Sequence, residues 1–267
     1  MAGAGSRGEI GKVSIFPTCV GDLLRPELAQ ALTRLLSKLG IPSDCPGRAC
    51  CGQAAWNAGY FAEARRTASL LLDSFSGDSR VICPSGSCTA MVVHNYPELF
   101  AGDSRRQAEA ARLSGRIREF SQFLVEDLGI TELGASFPFR VAYHPSCHAA
   151  RSLGIDVAPR ALLGRTRGIE LVEIPSAERC CGFGGFFAAK MADLSLAMGR
   201  AKAAAILQSG AEILTAVDPG CLLQIESILR EEGSRVWILH LAELLDEGMR
   251  RAEGTPPNST GGEGDTL

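Results

Sequence analysis

The chain has 267 residues, 46% of them hydrophobic, with a formal charge of −3 and an isoelectric point near 5.9. That is apolar material for one large core or two small ones, and the acidic balance excludes the basic excess that draws a protein to phosphate backbones or anionic lipid. No opening run has signal-peptide character and no later stretch stays uncharged for the roughly 18 residues of a membrane span, so a cytosolic chain is expected, whose ten cysteines point to metal or thiol chemistry rather than disulfides.

Residues 1–11 are rich in glycine and are expected to form a flexible N-terminus. A β-prone run at 13–16 ends in Pro17-Thr18-Cys19. Leu24, Leu28, Ala31, Leu32, Leu35, Leu36 and Leu39 then share one face at helical spacing, and Gly40 and Pro42 supply the stop. After Cys50-Cys51-Gly52, the residues Tyr60, Ala64, Ala68, Leu71 and Leu72 repeat the helical pattern. A strand-like run at 81–83 leads through a Pro/Gly turn to Cys88, and residues 120–126 form a closing helical segment.

From Gly134-Ala-Ser-Phe-Pro138 onward the order repeats. Val141-Ala-Tyr-His-Pro-Ser-Cys147 matches Val13-Ser-Ile-Phe-Pro-Thr-Cys19, Arg179-Cys-Cys-Gly182 matches Ala49-Cys-Cys-Gly52, and Leu214-Thr-Ala-Val-Asp-Pro-Gly-Cys221 matches Val81-Ile-Cys-Pro-Ser-Gly-Ser-Cys88. Strands are expected at 171–174 and 213–217, a loosely periodic helix at 194–207, and a closing helix at 241–247. Such a repeat means one structural unit used twice. Alternating strand and helix patterns predict an α/β fold of two tandem homologous units, each with a small, mainly parallel sheet flanked by helices. The expected units are residues 12–134 and 135–250, with a disordered tail at 251–267.

Each unit therefore carries a lone cysteine after its first strand, a Cys-Cys pair about thirty residues later and a fourth cysteine nearly forty further on: Cys19, Cys50, Cys51 and Cys88, then Cys147, Cys180, Cys181 and Cys221. Zinc knuckles present Cys-x2-4-Cys pairs that wrap one small ion, and neither unit has two of them. Adjacent cysteines point apart, so both sulfurs reach one ion only with strain but can reach different irons of a cluster. Gly52 and Gly182 permit positive φ and a close backbone approach. Cys88 and Cys221 fall where helices are expected to begin, which favours negative charge on sulfur. Buried inert thiols, common in α/β cores, are the alternative.

These motifs resemble the cysteine-rich CCG domain family, found in heterodisulfide reductases and in the iron–sulfur subunit of glycolate oxidase. Residues 50–60, Pro84-Ser-Gly-Ser-Cys88, Tyr143-His-Pro-Ser-Cys-His148, Cys180-Cys-Gly-Phe-Gly-Gly185 and Asp218-Pro-Gly-Cys221 look like its lactate-utilization branch. The resemblance spans about residues 12–250. It implies a subunit of a three-part L-lactate oxidation system, an oxidoreductase complex in which this chain works beside a ferredoxin-type iron–sulfur subunit and a third small subunit. It also implies one or two iron–sulfur clusters of the 4Fe-4S type. The fuller family pattern ends each unit in Cys-x-x-Cys, and here Ser85 and Asp218 stand at the first of those positions. A four-cysteine cluster, with Ser85 or Asp218 as an oxygen ligand, follows from that departure.

Cys83 reads as a core residue of its strand, and Cys45 has no counterpart in the second unit. His144 and His148 flank Cys147 as either ligands or backbone-bonded polar residues. His94 and His240 carry no assigned role. The glycines at 182–185 lack a G-x-G-x-x-G context, and flavin or nicotinamide sites have no positive signal. Two further readings are a heterodisulfide-reductase-like thiol/disulfide reductase subunit and a metal-stabilised scaffold without a redox role.

Overall fold

A computed structural model describes residues 11–255. The expected flexible N-terminus and most of the expected tail lie outside the described residues. Strands β1 (Val13–Ile15), β2 (Ser43–Asp44), β3 (Arg80–Cys83) and β4 (Ile117–Glu119) form a parallel sheet in the order β2-β1-β3-β4. Strands β5 (Arg140–His144), β6 (Glu170–Val172), β7 (Ile213–Ala216) and β8 (Trp237–His240) form a second parallel sheet in the order β6-β5-β7-β8. The two orders are the same topology, which is the structural expression of the sequence repeat. In each, the chain moves from the first strand to one neighbour and then jumps to the other side, so a topological switch lies between β1 and β3 and again between β5 and β7. Open parallel sheets bind ligands at such switches, beyond the carboxyl ends of their strands.

The helix Pro26–Lys38 shows how sequence pattern becomes packing. Pro26 occupies its first turn, where a missing N–H costs nothing. Leu28, Ala31, Leu32, Leu35 and Leu36 form its buried stripe. Each leucine contributes about 1.5–3 kcal/mol by leaving water. Gly40, at φ 73°, ends it as the sequence predicts. That stripe packs against the helix Leu241–Ala252 of the second unit, whose Leu241, Leu244 and Leu245 belong to the same core as Val13, Leu32, Val141 and Ile213. The duplicated units therefore share one apolar core between them. One further core lies on the far side of each sheet, around Phe16, Leu71, Tyr96 and Phe100 in the first unit and around Ala142, Ile206, Leu222 and Ile225 in the second.

Charges line the joint between the units. Arg25 donates from Nη2 to Glu226 at 2.6 Å and from Nη1 to Glu243 at 2.8 Å. Arg34 reaches Asp246 at 2.7 Å, and Lys38 reaches Glu253 at 2.8 Å. His240 begins the closing helix with a capping box: its Nδ1 accepts from Ala242 N–H, and Glu243 accepts from His240 N–H at 2.7 Å.

Glu119, at the end of β4, is fully buried. Its Oε2 accepts from the N–H groups of Ser121 (2.8 Å) and Gln122 (3.3 Å) and from the Ser121 hydroxyl, which starts the next helical turn. Oε1 has no hydrogen-bond partner among the described residues. Burial pushes the carboxyl up from an ordinary 4.5 to about 7, against those hydrogen bonds. Between pH 4.5 and 7 the folded chain then holds a proton that the unfolded chain has lost, so this group's stability contribution falls as pH rises through that window. Glu119→Gln keeps an acceptor for Ser121 and Gln122. It is expected to stabilise the fold at pH 8, by up to roughly 3 kcal/mol, and much less at pH 5. Urea unfolding at the two pH values measures this, and an equal effect at both would contradict it.

Candidate metal centres

The eight cysteines shared by the two repeats gather in two sets at the two switch points. In the first unit, Cys19 opens the helix Cys19–Leu24 just beyond β1. Thr18 precedes it at φ 66°, a left-handed conformation costly for a β-branched residue, and its hydroxyl accepts from Gly21 N–H at 3.1 Å. Cys50 and Cys51 lie in the loop that follows β2. Cys88 sits in the first turn of the helix Gly86–Ala90, just beyond β3. Cys147, the pair Cys180 and Cys181, and Cys221 take the corresponding places after β5, β6 and β7, with Cys221 in the first turn of the helix Pro219–Glu231.

Adjacent cysteines do not point fully apart as expected: each reaches a different outer sulfur, but the thiols of Cys50 and Cys51, and of Cys180 and Cys181, also hydrogen-bond each other. Cys50 Sγ lies 3.5 Å from Cys19 Sγ, whereas Cys51 Sγ lies 3.3 Å from Cys88 Sγ. Thiol hydrogen bonds from Cys19 and Cys51, with the Gly52 N–H at 3.4 Å, hold the Cys50 thiol down to about 3. Cys180 is held down to about 2 in the same way by Cys147, Cys181 and the Gly182 N–H. Each set is thus a chain of four sulfurs in hydrogen-bond contact. Gly52 and Gly182, at φ 82° and 86°, make both arrangements possible. A Cβ on Gly182 would stand 2.5 Å from Ser195 O, and one on Gly52 would stand 3.0 Å from Ala64 O.

The donor chemistry and the spread of the sulfurs test what such a set fits. Four thiolates around one tetrahedral zinc, at 2.3 Å each, would all lie about 3.8 Å apart. Among the described residues, the first set contains no three donors mutually within 4.8 Å. Four soft sulfur donors in each set fit a thiophilic metal or an iron–sulfur group. In the second set one trio does meet that distance: His144, Cys181 and Cys221, all buried.

Ser85 and Asp218 are brought together, and both carry helix caps. Ser85 Oγ accepts from Cys88 N–H at 3.2 Å. Asp218 Oδ1 accepts from Gly220 N–H at 3.2 Å, and its Oδ2 accepts from Ser87 N–H at 2.8 Å and faces Ser85 Oγ at 3.5 Å. One acidic side chain of the second unit therefore caps the cysteine-bearing helix of the first. Gly86 N–H donates to Val217 O at 3.1 Å, and a Cβ on Gly86 would stand 2.6 Å from that of Ala149. The loops after the two Cys-Cys-Gly motifs also meet, with Tyr60 edge-on to Phe186 at 6.0 Å. The two cysteine sets thus lie on neighbouring parts of one interface.

The remaining candidates separate clearly. Cys83 is buried in β3 and has only a long contact, 3.6 Å, to Ser85 O. Cys45 is exposed in its loop. His94 contacts Ser152 O at 3.0 Å, and His148 Nδ1 lies 3.6 Å from Cys147 Sγ. Both line an open cleft of about 440 Å³ with Gln53, Trp56 and Asn57. His144 is fully buried, with neither ring nitrogen hydrogen-bonded among the described residues. Burial, aided by the charge of Lys202, pushes its pKa down to about 3 and keeps the ring neutral. Sequence reasoning passed over Lys202 and Ser195. Lys202, also buried, donates to Ala177 O at 2.9 Å, and Ser195 donates to Gly182 O at 2.8 Å. The sequence offered no signal for them, because the helix buries Ser195, Gly199, Lys202, Ala203 and Ile206 and leaves Leu194 and Leu207 of the expected apolar stripe exposed.

Comparison with known proteins gives this arrangement its class. The profile of the CCG cysteine-rich domain matches the chain twice, over residues 13–93 and 141–226. Proteins named lactate utilization protein A are similar over nearly their whole length. The one from Oceanobacillus iheyensis is 40% identical over 88% of this chain and 96% of its own, and the one from Macrococcus caseolyticus is 43% identical over the same shares. That from Geobacillus kaustophilus is 42% identical over 88% and 98%. The chain belongs to the lactate utilization protein A family of duplicated CCG domains. Among solved structures, a hypothetical protein from Helicobacter pylori shares the fold, with a TM-score of 0.57 at 12% identity over 91% of this chain and 50% of its own. Among the described residues, no helix is long and apolar enough to cross a membrane.

Proposed function

We propose that this chain is the iron–sulfur electron-transfer subunit of a cytosolic complex that oxidises L-lactate to pyruvate and supports growth on lactate. The observation that carries the reading is the pair of four-sulfur sets placed at the two switch points of adjoining parallel sheets. When bound there, 4Fe-4S clusters would supply one-electron acceptance and release.

The chain's own residues would hold and shield them. Cys19, Cys50, Cys51 and Cys88 would ligate the first, and Cys147, Cys180, Cys181 and Cys221 the second. Ser85 and Asp218 serve by fixing the two cysteine-bearing helices, because their oxygens are taken up by caps and by each other. A ferredoxin-type iron–sulfur subunit and a third small subunit would complete the system. The relatives' names support the lactate assignment.

Deleting the gene is expected to abolish growth on L-lactate while growth on pyruvate continues. Unimpaired growth on L-lactate as sole carbon source, in a host lacking other lactate dehydrogenases, would sink the proposal.

A further inference from the structure

The two copies of the site differ in a way that the repeat makes visible. His144 stands three residues before Cys147, and the residue three before Cys19 is Phe16. Both are buried, but the phenyl packs edge-on to Phe75 at 5.7 Å, whereas the imidazole has no hydrogen-bond partner on either nitrogen. A buried polar group without a partner costs free energy, about 1–3 kcal/mol, unless something else satisfies it. The groups beside it are the sulfurs of Cys181 and Cys221, mutually within 4.8 Å of a ring nitrogen. A second difference lies close by. Ser195 and Ala64 each back the glycine of a Cys-Cys-Gly motif, and seven residues beyond them stand Lys202 in the second unit and Leu71 in the first, both buried.

Building on the iron–sulfur reading above, we propose that His144 is a nitrogen ligand of the metal centre at the second site, so that the two duplicated sites hold electronically different centres. The trio of His144, Cys181 and Cys221 supplies the geometry. A neutral imidazole, added to the four thiolates where the fuller family pattern has a fifth, leaves the irons less negatively charged than that fifth thiolate would and so favours a higher reduction potential, as histidine ligation does in other iron–sulfur centres. The buried ammonium of Lys202 acts in the same direction, because a nearby positive charge favours the reduced, more negative state. An electron shared between the two sites would therefore rest on the second, leaving the first oxidised.

The test uses the full chain, purified anaerobically and reduced with dithionite. Pulsed electron paramagnetic resonance is expected to show a directly bound 14N coupling that changes to the 15N pattern when the unmodified protein is labelled with 15N-histidine. His144→Phe installs the residue that the first unit already accommodates. It is expected to remove that coupling and to shift the higher of two potentials downward. Lys202→Met is expected to lower the same potential while keeping the coupling. Iron and sulfide present without any histidine nitrogen coupling would overturn the His144 assignment alone, as would a coupling that survives His144→Phe. Absence of iron and sulfide from the unmodified chain would overturn both this assignment and the reading on which it rests.

Discussion

Cys51→Ser is expected to empty the first site and Cys180→Ser the second, each lowering bound iron by about half, while Cys45→Ser leaves iron unchanged. Cys51 is buried and faces Cys88 at 3.3 Å, and its carbonyl is held by the Tyr96 hydroxyl at 3.1 Å. Cys180 is the sulfur on which Cys147, Cys181 and the Gly182 N–H converge. Serine is nearly isosteric with cysteine, and a hydroxyl is a poor substitute for a soft thiolate. Circular dichroism should therefore show an intact fold beside the iron loss. Cys45 is exposed and lies in neither set. Equal iron loss from all three variants would mean that the ligand sets are wrongly drawn.

Arg25→Met is expected to destabilise the chain by about 3–5 kcal/mol near neutral pH. The arginine joins Glu226 and Glu243 of the second unit at 2.6 and 2.8 Å, with all three side chains largely out of water. Removing the cation leaves Glu243 without its ion-pair partner and Glu226 with only the exposed Arg230, 2.6 Å away. Burial already pushes Glu243 upward and Arg25 opposes that push, so the variant's Glu243 would rise further. A raised folded pKa means that the penalty is complete above that value and shrinks as acid protonates the group. Urea unfolding should therefore show a larger loss at pH 8 than at pH 5. Adding Glu226→Gln and Glu243→Gln to the variant should recover part of it, because no buried charge is then left unpaired. A loss that ignores pH would mean that packing of the arginine stem, not charge, holds the joint.

Much of the fold was legible because the repeat printed the same cues twice. The strands that bear lone cysteines, β1, β3, β5 and β7, end in Pro- or Gly-containing turns that the sequence displays plainly. β2, β4 and β8 were missed. β2 is only Ser43–Asp44, too short to show alternation. β4 and β8 are three- and four-residue runs at sheet edges, Ile117–Glu119 and Trp237–His240, whose extended form is fixed by pairing with β3 and β7 rather than by local pattern.

The cysteine sets were legible from spacing and from the glycines that follow the pairs. Their contact with each other was not. Spacing within a unit carries no information about how two units dock, so the caps that Asp218 places on the Cys88 helix emerged only in three dimensions. His144 was ambiguous for a related reason. A histidine at a strand end is ordinarily satisfied by backbone, and only the absence of any such partner distinguishes this one.

Iron and acid-labile sulfide, measured on the anaerobically purified chain, test the central claim most directly. Two polynuclear sites predict iron and sulfide in nearly equal amounts, with both lost from a Cys51→Ser/Cys180→Ser double variant. Zinc bound without sulfide would contradict the account, because a single tetrahedral ion, not a polynuclear cluster, would then occupy the cysteine sets.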